Sequence, residues 1–138
     1  MQARGDDVQA TAFFGKTYGE AMELLIEARD YLAHREPIDR QVLAPLDRLR
    51  MSRETMRLTA RLTQIMAWLL AQRAVFNGEI SQRDALGDRG ALAEVEICME
   101  GEEWAPAAPQ RLASLLDRSR RLYVRVARLD ELARRQLA

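Results

Sequence analysis

Between about Thr11 and Arg35 the apolar residues Phe14, Tyr18, Met22, Leu25 and Leu32 recur at intervals of three, four and seven. That is the spacing of one face of an α-helix and predicts a first helix over 11–35. Glu36-Pro37-Ile38-Asp39 is expected to end it, because proline disfavours helical backbone at the residue before it and has no N–H to continue the ladder. A second helix is expected over 43–77. Pro45 suits its first turn, the run Met51, Leu58, Leu62, Ile65, Leu69 and Phe76 carries its buried face, and Asn77-Gly78 is a strong stop.

Ser81 precedes Asp84 by three residues and predicts the N-cap of a short helix ending near Gly87. Residues 88–109 hold Gly90, Gly101, Pro106 and Pro109 without a sustained period, and read as an irregular connection. A third long helix is expected over 109–137, with Leu112, Leu115, Ser119, Leu122, Val126, Leu129 and Ala133 as its seam. No run alternates as a strand would. The predicted fold is all-α: one domain over 1–138, an antiparallel three-helix bundle with a short extra helix between helices 2 and 3.

The stretch IMAWLLAQRAVF, residues 65–76, is apolar nearly all the way round, whereas a helix with two neighbours should keep one wet face. At 100° per residue, Trp68 and Val75 lie about a third of a turn from the core face, beside Arg57, Arg61 and Gln64. Ala60, Ala67 and Ala74 form a separate small-residue stripe. Either one of these stripes meets another chain, making a homodimer or partner interface, or the short helix or long connection folds over it. In the third helix Arg118, Arg121, Arg125 and Arg128 share one side with Arg135. Such a stripe can bind carboxylates of an acidic protein, or phosphates; its plainer reading is a solvated face partly neutralised by Asp117 and Glu131.

Composition narrows these options. Twenty-one basic residues balance twenty-one acidic ones, so no global charge drives binding to nucleic acid or an anionic membrane, and no aromatics interleave with the arginine stripe to stack on bases. Hydrophobic residues at 48% and charged residues at 30% fit a folded, soluble domain. Cys98 is the sole cysteine and His34 the sole histidine, which excludes internal disulfides and Cys/His zinc clusters. No membrane span or signal-peptide core is present, so a cytoplasmic protein is expected. Neither a phosphate loop nor a hydrolase or metalloprotease motif occurs, so no enzyme, cofactor or metal is expected. His34 reads as a cation at a helix end, Cys98 as a packed thiol, and Trp104 as a ring pinning a loop.

Residues 52–81, SRETMRLTARLTQIMAWLLAQRAVFNGEIS, resemble the central helix of the regulator-of-CtrA-degradation (RcdA-like) family of alphaproteobacteria. Residues 14–32, FGKTYGEAMELLIEARDYL, are similar to that family's first helix, and residues 118–131, RSRRLYVRVARLDE, to its last. The resemblance implies a dimeric three-helix bundle acting as a non-catalytic adaptor of the ClpXP protease. Such an adaptor engages ClpX with a response-regulator priming factor and tethers protein cargo such as cell-cycle regulators, raising its effective concentration at the protease. The alternative is a small helical transcription-associated or nucleic-acid-binding regulator.

Overall fold

The computed structural model describes residues 2–87 and 108–137, with side chains from residue 13 onward, and every regular element among them is helical. Helix α1 spans Gln2–Asp30 and passes through a π-helical turn, Tyr31–Arg35, into α2, Glu36–Gln41. The expected break at Glu36-Pro37 is therefore not a break. The Glu36 N–H bonds the Tyr31 carbonyl, five residues back, so the chain widens by one residue immediately before Pro37 and takes in a ring that a regular helical turn would repel. The Tyr31 hydroxyl, on a fully buried ring, donates to Asp39 Oδ2 at 2.9 Å and ties α2 to the turn; burial and that carboxylate push the phenol well above its usual range.

The chain reverses at Val42–Ala44 instead. Arg48 Nε and Nη2 donate to the carbonyls of Arg40 and Gln41 at 3.1 and 3.2 Å, placing a cation at the negative end of α2. Helix α3 runs Pro45–Phe76 with proline in its first turn, two residues later than the expected start and one short of the expected end. Gly78 supplies the positive φ of +75° that closes it. Helix α4, Gln82–Leu86, is capped as the spacing predicts: Ser81 Oγ accepts from the Asp84 N–H at 3.1 Å, and Leu86 is buried. Helix α5 covers Gln110–Leu137.

One core joins α1, α3 and α5. Its α3 residues Met51, Leu58, Leu62, Ile65 and Leu69 are those of the expected face, while Phe76 of that face is exposed. From α5 come Leu112, Leu115, Leu122, Tyr123 and Val126, and from α1 Ala21, Leu24 and Ala28, with Tyr31 of the π-turn.

The relative directions of the helices correct part of the expected arrangement. Phe14 stacks edge-on against Phe76, ring centroids 5.2 Å apart, and Arg73 lies over Tyr18, so α1 and α3 are antiparallel. Glu20 pairs with Arg125 and Glu27 with Arg118, so α1 and α5 are antiparallel as well. Arg61, however, reaches Leu116 and Trp68 reaches Asp130, which makes α3 and α5 parallel. At one end Arg134 of α5 holds the carbonyls of Leu86 and Gly87; at the other Arg111 lies over Tyr31. The second and third long helices thus run in the same direction and do not form a hairpin.

Candidate functional site

The arrangement of α5 decides what covers the Trp68 stripe, for which a second chain, the short helix or the long connection was expected. Arg57, Arg61 and Trp68 are only 5%, 2% and 6% exposed within one protomer. Arg61 Nη1 donates to the Leu116 carbonyl at 3.1 Å and Ser119 Oγ at 3.3 Å, and Trp68 Nε1 donates to Asp130 Oδ1 at 3.0 Å. Arg57 forms a buried ion pair with Glu54. Gln64 and Val75 at the margins are half-buried. The parallel packing of α5 therefore covers this face, and the polar tips that suggested an outer surface instead satisfy α5 and each other.

The arginine stripe of α5 is divided. Arg118 grips Glu27 with both terminal nitrogens, at 2.8 and 2.6 Å, and Arg125 holds Glu20 at 2.5 Å. These two fasten α5 to α1. The Arg118 hydrogen bond holds the Glu27 carboxyl below the usual glutamate range, and the same bond raises Arg118. Arg121 pairs within its own helix with Asp117 at 3.1 Å and is mostly exposed, and Arg128 is exposed. Glu20, Glu23 and Glu27 of α1 and Arg118, Arg121 and Arg125 of α5 line a mixed-sign hollow of about 330 Å³. A phosphate backbone would meet carboxylates there, so the surface suits charge-paired protein contacts better than nucleic acid.

A third feature was only half visible in the sequence. On the side of α3 away from α5, an open groove of about 750 Å³ runs between α1 and α3. Its floor is Ala28 and Leu62; Leu25, Leu32, Met66 and Leu70 form its walls, and Arg29 is the single charged residue lining it. Ala67 of the alanine stripe lies in it, its small side chain leaving room between the walls. The pairing partner of that stripe on α1 could not be found without knowing how the two helices sit.

His34 is exposed at the π-turn. Cys98 and Trp104 lie outside the described residues. Among the described residues no cluster of three metal-ligating side chains occurs, and no helix is long and apolar enough to cross a membrane.

No curated protein matches the chain. Residues 5–138 match the family model described as a protein of unknown function, DUF1465. Among solved structures, RcdA from Caulobacter crescentus is similar at 38% identity with a TM-score of 0.71, over 88% of this chain and 91% of that one. Family match and structural likeness extend across all three long helices, where the sequence resemblance had rested on three shorter stretches. The chain belongs to the RcdA-like family of DUF1465 proteins.

Proposed function

We propose that this protein is a non-catalytic adaptor in regulated proteolysis, one that helps deliver cell-cycle regulators to the ClpXP protease. The observation that carries the reading is the likeness to RcdA over nearly the whole of both chains. The protomer is consistent with it: α5 is locked to α3 by buried hydrogen bonds and to α1 by ion pairs, leaving a rigid body with one open apolar face and one mixed-charge face. Two binding faces on one rigid body are what tethering needs, since moderate affinity for each of two partners suffices.

In this reading the adaptor is a cytoplasmic homodimer that engages ClpX with a response-regulator priming factor. Arg121 and Arg128, the members of the arginine stripe that do not clamp α1, belong to a charge-steered partner contact on the α5 side. The test is reconstituted degradation of a candidate cell-cycle regulator by ClpXP and the priming factor, with and without this protein. Adaptor function requires the cargo to disappear faster when the protein is added; an unchanged rate across cargo candidates overturns it. Light scattering at micromolar concentration decides the dimer, which requires twice the 15.8 kDa chain mass.

A further inference from the structure

We propose that the groove between α1 and α3 is the seat of an amphipathic helix from a protein partner, with acidic side chains flanking its apolar stripe. The groove has the form of a missing helix. The α1–α3 pair is covered on one side by α5, and its other side presents the same kind of furrow with nothing helical in it among the described residues. From Thr59 to Leu70 the α3 wall is about 17 Å long at 1.5 Å per residue, which matches three turns of a docked helix.

Apolar exposure continues past the groove along the same line of α3. Leu46, Leu49, Met56 and Leu70 are exposed, Met56 by 73% and Leu70 by 49%. With Arg53, Ala60, Thr63, Ala67 and Ala74 they follow a three-four alternation over more than three heptads, the seam one helix offers another.

Charge selects the occupant. Between residues 48 and 76 the charged residues of α3 that reach solvent are Arg48, Arg50, Arg53 and Arg73; Arg50 pairs with Asp47 at 3.2 Å and Arg48 holds the last carbonyls of α2, while the acid in that span, Glu54, is buried against Arg57. Arg29 places a further guanidinium on the α1 wall, its side chain 72% exposed and 3.5 Å from the carboxylate of Asp30. A second copy of this chain would set an arginine-edged seam against itself. A helix flanked by aspartate or glutamate places carboxylates where these guanidiniums can take them. The inference deepens the adaptor reading by naming the partner chemistry of one face, and its test does not pass through the protease.

The probe is a fluorescent synthetic helix of about 20 residues, leucine and alanine on its stripe and glutamate on both flanks; its counterpart carries lysine in place of glutamate. Anisotropy with the full chain should show the glutamate peptide binding at least ~10-fold more tightly than the lysine peptide, and weakening as salt is raised. Ala67→Trp, which fills an exposed part of the groove, should lower binding by ~10-fold or more with circular dichroism unchanged. Arg29→Glu should shift preference toward the lysine peptide, and Arg120→Glu, at an exposed position of α5, should change nothing. Equal binding of the two peptides, no binding of either, or full binding by Ala67→Trp overturns the proposal. So does a dimer that Ala67→Trp converts to monomers, since the groove then belongs to a second copy. Cargo delivery without peptide binding rejects the groove and spares the adaptor; peptide binding without delivery does the reverse.

Discussion

Helix α3 has two apolar sides that were treated oppositely. Toward α5 the side is sealed and mixed: Leu58, Ile65 and Leu69 are interleaved with Arg61 and Trp68, whose polar tips find fixed acceptors in Leu116, Ser119 and Asp130. Away from α5 the side is apolar, open and nearly free of hydrogen-bonding groups. A buried guanidinium or indole N–H costs stability unless its partner is always present, so the first side can serve only a permanent neighbour. An apolar groove lined by small residues carries no such obligation and tolerates being empty. The difference separates the part of the surface that builds the protomer from the part left for exchange.

Substitutions on the sealed side should be the most damaging. Ile65→Ala or Leu69→Ala should cost on the order of 2–5 kcal/mol by lost burial and cavity formation, read from denaturant unfolding. Arg61→Ala comes next, at about 1.5–3 kcal/mol, because charge-assisted bonds to α5 are lost from a buried site. A surface arginine would cost no more than about 0.5 kcal/mol, so a value that small would show that the α3–α5 polar contacts contribute little.

Trp68→Phe keeps the ring and removes one hydrogen bond, and should cost about 1 kcal/mol by the same measurement, since Arg134 still holds Asp130 at 2.9 Å. The exposed clamp between Glu27 and Arg118 is smaller and depends on pH. The folded-state pKa of Glu27 is depressed, so its stabilisation is fully present above the ordinary glutamate pKa and is lost as pH falls through the lower folded value. Wild type should accordingly exceed Glu27→Gln in melting temperature near neutrality, and the gap should close in acid. Both partners are about two-fifths exposed, so the gap itself is modest. On the open side Leu70→Glu should change stability by no more than about 0.5 kcal/mol. A large loss there would mean that the groove wall is part of the fold.

Much of the helical content follows from local rules. The α3 core face, the stop at Asn77-Gly78, the Ser81 cap and the start of α5 near Pro109 all depend on periodicity, a hydroxyl three residues before an N–H, or a residue that cannot continue a helix. Pro37 escaped the same reasoning because a proline can be absorbed when the turn before it widens, and the Tyr31–Asp39 bond that steadies the widened turn joins residues eight apart. The arginine stripe was real as a pattern, yet Arg118 and Arg125 turned out to have carboxylates waiting on α1.

Taken alone, the chain's sequence determined how many long helices form, which face of each is apolar and where the second and third end, since these depend on contacts within a few turns. Tertiary structure alone decided that α3 and α5 run parallel, that Arg61 and Trp68 point at a neighbour and not at solvent, and that no helix among the described residues fills the α1–α3 furrow. An amphipathic helix specifies that its apolar face must be covered; which helix covers it, and in which direction, is settled only when all three compete for the same buried surface.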